Sequence, residues 1–202
     1  YIATPIYHGY GVAVLLMFIA MGYKMVVTRR FEAKTACDRI QEHQVEVVTV
    51  VPLMIHKMLN HNADDLKSLA CIASGSAELN PKLVKETQSR LGDVLYNLYG
   101  TSEAGLNIIA SPEHLKYAAT TIGKKINGVQ LKIIDSNKHE VEVGKIGQFW
   151  IKNGWSMRNI DDPWIDTGDL GYQDHEGNYF LCGRVDDRIV SAGENVYPFE
   201  VE

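Results

Sequence analysis

Residues 45–52 read Val-Glu-Val-Val-Thr-Val-Val-Pro. The run is β-branched almost throughout and does not alternate between apolar and polar residues, which is how a strand covered on both faces of a parallel sheet reads. Pro52 opens a helix through Leu59, because a proline in the first turn gives up an N–H that has no helical partner there. The pattern repeats downstream, with residues 69–73 as strand, 74–76 (Ser-Gly-Ser) as turn, 81–91 as helix and 94–98 as strand. Upstream, residues 1–11 form a loop with three tyrosines around His8 that feeds an apolar helical segment at 12–20. A short strand candidate at 24–27 and helical spacing at 34–43 follow. Alternating strand and helix predicts an α/β fold, a doubly wound sheet with ligand loops at the carboxyl ends of its strands.

Beyond about Ser111 the character changes to strands separated by glycine and polar turns, as at 129–134, 147–152 and 177–181. The expected organisation is an α/β subdomain over 1–115, a smaller β-rich subdomain over 116–183, and a closing segment over 184–202. Residues 197–202 look like a helix just beginning behind Pro198.

Composition narrows the function. The 202 residues carry a net charge of -5 and are 46% apolar, so the chain can build a core but has no basic footprint for nucleic acid or an anionic membrane surface. Cys37, Cys71 and Cys182 are widely spaced and include no CxxC pair, which indicates neither a disulfide framework nor a zinc site and fits a reducing, cytoplasmic setting. The most apolar run, residues 11–21, falls short of the roughly 20 residues that span a bilayer. It is expected to be a buried helix.

The chemistry concentrates at residues 97–105, Asn-Leu-Tyr-Gly-Thr-Ser-Glu-Ala-Gly. Gly100 is expected to let the chain bend where a side chain would be strained, the hydroxyls of Thr101 and Ser102 can donate to phosphoryl oxygens, and Glu103 can hold a hard cation such as Mg²⁺. Tyr99 offers a flat face for a base or acyl chain. An ordinary structural turn can also carry such residues, so the rest of the chain decides.

Five segments occur in order: PIYHGYG at 5–11, SGSAEL at 74–79, NLYGTSEAG at 97–105, DTGDLG at 166–171 and GRVDDRIVSAGENVYPFEVE at 183–202. Together they resemble the adenylate-forming (AMP-binding) superfamily, which holds acyl- and aryl-CoA synthetases, luciferases and the adenylation domains of peptide synthetases. The resemblance implies that the main chain at Gly75, Ser76 and Ala77 packs on adenine, that Asn97 reads the adenine amino group and that Tyr99 stacks on the ring. It sets Gly100, Thr101 and Ser102 in the phosphate turn, with Ser102 where the family usually has threonine, and makes Glu103 the magnesium carboxylate. Asp169 and Arg184 match the ribose contacts, Asp186 the hinge of the small carboxy-terminal domain, and Gly193 a loop that approaches the pantetheine channel.

His8 matches a histidine that lines the acyl pocket of acyl- and aryl-CoA ligases, where peptide-synthetase domains usually carry an aspartate for the substrate ammonium. An amino-acid substrate is therefore disfavoured. Pocket depth is expected to depend on Tyr7, Val51, Met54 and Leu106 as well as His8. The implied reaction consumes ATP, a carboxylic acid (a fatty acid first, an aryl acid second) and coenzyme A with Mg²⁺, and its catalytic residues are Ser102, Glu103 and His8. The family's phosphate loop would precede Tyr1 and its adenylation lysine would follow Glu202. The chain is thus expected to be incomplete and, by itself, inactive. The alternatives are an aryl-CoA ligase, a peptide-synthetase-type adenylation domain, or a nucleotide-binding module without catalysis.

Overall fold

The computed structural model of the chain describes residues 1–156, 162–187, 189–191 and 194–196. It is mixed α/β, as the alternating pattern predicts, and divides into two compact units. The division is not a single cut near residue 115: the first unit is Tyr1–Leu98 with Ala110–Thr120, and the second is Tyr99–Ile109 with the chain from Thr121 onward.

In the first unit, helices α1 (Gly9–Ala20) and α2 (Ala33–His43) precede strand β1 (Val47–Val50), α3 (Pro52–Asn62), β2 (Cys71–Gly75), α4 (Pro81–Leu91) and β3 (Leu95–Thr101). Strand β3 begins here and ends in the second unit. The strands run parallel, with Val48 opposite Ile72 and Ile72 opposite Leu95. A proline occupies the start of α3 and of α4, and Asn80 caps α4 by accepting from the Lys82 N–H at 2.8 Å. A short helix, α5 (Pro112–Tyr117), begins at a reciprocal cap between Ser111 and His114. Ile40, Ile55, Met58, Leu59, Leu66, Ile72 and Leu95 form the core of this unit, and each contributes about 1.5–3 kcal/mol of hydrophobic stabilisation.

Helix α1 corrects the expectation of a buried helix. Only Gly11 and Val14 are buried in it, while Leu16, Met17 and Ile19 are exposed. A helix that is apolar all round needs partners on every side, and among the described residues it finds them along one stripe. The strand candidate at 24–27 reduces to a single bridge from Val27 to Ile2. No helix among the described residues is long and apolar enough to cross a membrane.

The second unit holds β4 (Gly105–Ala110), β5 (Thr121–Lys125), β6 (Gln130–Ile134), β7 (Gly147–Lys152), β8 (Ile165–Gln173) and β9 (Tyr179–Arg184). From the end of β3 the strand order is β3-β4-β5-β9-β8-β7-β6, with antiparallel pairing from β4 onward. Strands β10 (Ile189–Ser191) and β11 (Glu194–Val196) form a separate antiparallel pair. Alternating inward residues such as Phe149 and Ile151 make the core with Tyr99, Ile108 and Tyr179. Gly193 and the helix expected behind Pro198 lie outside the described residues.

Candidate functional site

In the first unit, β2 runs through Ser74 and Gly75, so the chain turns later than the sequence pattern suggests. Ser76 makes the turn with a φ of 65°, in the left-handed region. Ser76 and Ala77 are exposed just past the carboxyl end of the strand, where parallel sheets present ligand loops. Asn97 pairs with Ser74 across β2 and β3 and is itself buried. Tyr10 packs its ring beside Gly75 and donates its hydroxyl to the Ala73 carbonyl at 2.8 Å; burial pushes the phenol's pKa up.

The other first-unit candidates fall in two sequence-local pairs, Tyr7 with His8 and Val51 with Met54, whose N–H donates to the Val51 carbonyl at 2.9 Å. His8 precedes α1, is exposed, and meets the Tyr7 ring at a centroid distance of 4.6 Å. Val51 and Met54 are half-buried at the start of α3, and Met54 packs on the first core.

In the second unit, the stretch 99–105 differs from the expected turn. Tyr99, Gly100 and Thr101 continue β3, the chain turns at residues 102–104, and β4 starts at Gly105. Gly100 does not supply the bend, since it is absent from the glycines with positive φ, whereas Gly105 turns with a φ of 67°. Gly100 is required by space. A Cβ there would stand 2.3 Å from the Gly105 carbonyl oxygen and 3.0 Å from Leu106 Cα. Gly100→Ala is therefore expected to destabilise the fold by about 2–4 kcal/mol, read as a lower urea midpoint. A loss under about 0.5 kcal/mol would mean that the hairpin opens to admit the methyl.

The Thr101 hydroxyl oxygen accepts from the Ala104 N–H at 3.1 Å and so staples the turn, while Ser102 and Glu103 are exposed at its tip. Leu106 is partly exposed on β4. The Tyr99 hydroxyl donates to Asp169 Oδ2 at 2.7 Å, and its ring meets Phe149 edge-on.

The segment 166–169 can be read residue by residue. Asp166 accepts from the Gly168 N–H at 2.9 Å. Thr167 donates to the Phe149 carbonyl at 2.9 Å and accepts from the Asp169 N–H at 3.1 Å, which pins the strand. Gly168, with a φ of 71°, leaves room for Arg184, whose Nη2 would lie 2.9 Å from a Cβ. Antiparallel register sets Asp169 opposite Arg184, and the guanidinium donates to Asp169 Oδ1 at 2.9 Å. Both carboxylate oxygens are thus engaged.

Burial raises the Asp169 pKa above the usual carboxylate range, against the pull of Tyr99 and Arg184 in the other direction, and Glu103 adds a small upward push. Burial first, and then the Asp169 charge, push the Tyr99 phenol up. Asp186 is exposed in a short turn after β9. Thr167 is not among the residues expected at the site, although the Asp-Thr-Gly-Asp turn chemistry at 166–169 is a signal for it.

This geometry offers an anionic carboxylate for a diol, an aromatic beside it, and a turn with one hydroxyl and one carboxylate exposed. Among the described residues no cluster of three His, Cys, Asp or Glu stands ready for a metal. The residues present fit Mg²⁺ rather than a transition metal, because Mg²⁺ is commonly held by one carboxylate together with substrate phosphates and water.

Comparison with known proteins bears on the same residues. Residues 1–160 match the family described as AMP-binding enzyme. The chain is 29% identical over 215 residues to the medium/long-chain-fatty-acid–CoA ligase FadD8 of Mycobacterium tuberculosis, covering 98% of this chain and 38% of that protein. Among solved structures, the amide bond synthetase McbA of Marinactinospora thermotolerans superposes with a TM-score of 0.93 at 25% identity, over 100% of this chain and 44% of that one. The O-succinylbenzoate coenzyme A synthetase of Bacillus subtilis, solved with ATP and magnesium ion, superposes with a TM-score of 0.91 at 27% identity, over 99% and 44%. The chain thus spans well under half the length of the proteins it matches. With the family matched over most of its residues, and the fold shared throughout, the chain belongs to the AMP-binding enzymes.

Proposed function

We propose that the protein carrying these residues is an AMP-forming acid–thiol ligase that activates a fatty acid of medium or long chain. In the first step a carboxylate oxygen attacks the α-phosphorus of ATP, and the bond to the bridging oxygen breaks to release pyrophosphate. In the second step the thiol of coenzyme A, losing its proton, adds to the acyl carbonyl and AMP departs. The observation that carries this reading is the Tyr99–Asp169–Arg184 group, formed in the same unit as the turn that exposes Ser102 and Glu103.

An anion must approach a polyanion in the first step, so the work is charge neutralisation and positioning rather than proton removal. Asp169 accepts from the ribose hydroxyls, Tyr99 and Asn97 with residues 75–77 take the adenine, and the Ser102 hydroxyl donates to the α-phosphate. Glu103 holds Mg²⁺, which when bound screens the phosphate charge. His8, Tyr7, Val51, Met54 and Leu106 face the acid, and Asp186 serves as the hinge between the two steps. The fatty-acid preference is supported by the likeness to FadD8, and an aromatic acid is the second choice on the likeness to the O-succinylbenzoate enzyme.

The test is carboxylate-dependent ATP–pyrophosphate exchange by the full-length protein, beside the 202-residue chain, with fatty, aryl and amino acids. Exchange with fatty acids by the long form alone is the expected result. Exchange with amino acids alone would overturn the role given to His8, and none with any acid would leave a nucleotide-binding module.

A further inference from the structure

We infer that Asn107 and Asn153 are positioning residues that clasp the main chain of the 102–104 turn and so hold the Glu103 carboxylate and the Ser102 hydroxyl in place for Mg·ATP. The inference rests on the ligase reading above and names two side chains outside the recognised segments. Asn107 is 0% and Asn153 3% exposed, and an amide taken out of water must find partners inside the protein.

Their partners are the turn itself. Asn153 Nδ2 donates to the Ala104 carbonyl at 2.8 Å and to Asn107 Oδ1 at 2.7 Å. Asn107 Nδ2 donates to the Gly105 carbonyl at 2.6 Å and more weakly to Ala104 at 3.3 Å. Asn153 is held in turn, because its Oδ1 accepts from the N–H groups of Trp155 and Ser156 at 3.1 and 2.7 Å. The Trp155 ring closes over Gly105, with its edge 3.1 Å from where a Cβ would stand, and over Gly128 at 3.3 Å.

With Thr101 on its N–H, Ala104 has both main-chain groups bound by side chains and is fully buried. A three-residue turn that merely joined β3 to β4 would leave these groups to solvent at little cost. Instead, two buried amides and an indole fix a turn whose exposed residues are one hydroxyl and one carboxylate. That is the support a reacting group needs, since such groups must be held within a fraction of an ångström of productive geometry.

The test uses the full-length protein. Asn153→Asp keeps the acceptor for Trp155 and Ser156, removes both N–H donors and sets an oxygen against the Ala104 carbonyl. The Mg²⁺ concentration for half-maximal exchange is expected to rise about tenfold and kcat to fall about tenfold, with KM for the carboxylic acid changed by less than about twofold. Asn153→Ser, which keeps a small hydroxyl, is expected to move the same way by about threefold and serves if the aspartate variant does not fold. Ile133→Val, in the core of the same unit, is the control for lost stability alone and should leave the Mg²⁺ midpoint unchanged.

A lowered melting temperature in either Asn153 variant, with Mg²⁺ midpoint and kcat within about twofold of wild type, overturns the positioning role and leaves the ligase reading standing. If the wild type supports no exchange, Mg²⁺-dependent ATP binding by calorimetry becomes the readout, and unchanged binding in the variants overturns the clasp. A wild type that neither exchanges nor binds Mg·ATP overturns both.

Discussion

Replacing Glu103 by glutamine in the full-length protein is expected to lower the maximal rate of ATP–pyrophosphate exchange about 10²–10³-fold, while the melting temperature moves by less than about 2 °C. The two halves of this expectation come from different observations. Glu103 is exposed at the tip of the turn, whose main chain is fixed by Thr101, Asn107 and Asn153, so the side chain's amide analogue leaves the fold alone. The rate falls because glutamine keeps the shape and one acceptor oxygen but lacks the negative charge that retains a divalent cation. No cluster of other metal-ligating residues among the described ones can take over. Raising the Mg²⁺ concentration should recover part of the rate, because what is lost is the local charge rather than the geometry. Exchange within about threefold of wild type would show that the cation is held elsewhere.

The residues that carry this prediction were legible in the sequence, while much of what supports them was not. Strand β1 and helices α3 and α4 followed from a β-branched run and from prolines at first helical turns, both local signals that tertiary packing did not override. Strands β4 and β5 and helix α5 were missed, although Ser111 before Pro112 is a helix start in miniature. Gly100 was correctly singled out as constrained, but for the wrong reason. Sequence cannot separate a glycine that must turn from one that must leave room, and here the carbonyl of Gly105 decides.

Buried polar contacts are the least legible of all. Asn153 lies 46 residues from Asn107, and Tyr99 lies 70 residues from Asp169. Each looks like loop polarity or a stacking ring until the folding of the second unit brings β3 and β4 against residues of β8 and the end of β7. The exposed side of α1 shows the converse limit, for an apolar segment declares that it wants burial without saying what provides it.

Asp169→Asn is expected to weaken ATP binding about 10–100-fold, read by calorimetry. The amide keeps the volume and one acceptor, yet it loses the charge that pairs with Arg184 at 2.9 Å and the second oxygen a cis-diol needs. The wild-type carboxylate also sets a pH dependence with a definite sign. Its pKa is raised by burial, so it takes up a proton at a higher pH than an ordinary aspartate as the solution is acidified. ATP affinity should therefore fall through that raised range. This group's contribution to folding stability goes the other way, because the folded state binds the proton more readily than the unfolded chain and is favoured as pH falls.

Loss of affinity without loss of melting temperature is thus the signature of Asp169 rather than of general acid unfolding. Tyr99→Phe sharpens the test. The phenol's hydrogen bond at 2.7 Å favours the charged carboxylate, and its removal should shift the fall in ATP affinity to still higher pH while leaving a ring for adenine. Arg184→Gln should shift it in the same direction, since the guanidinium also favours the anion. A pH profile of ATP affinity that is identical in wild type, Tyr99→Phe and Arg184→Gln would show that nucleotide binding does not depend on the ionisation of Asp169.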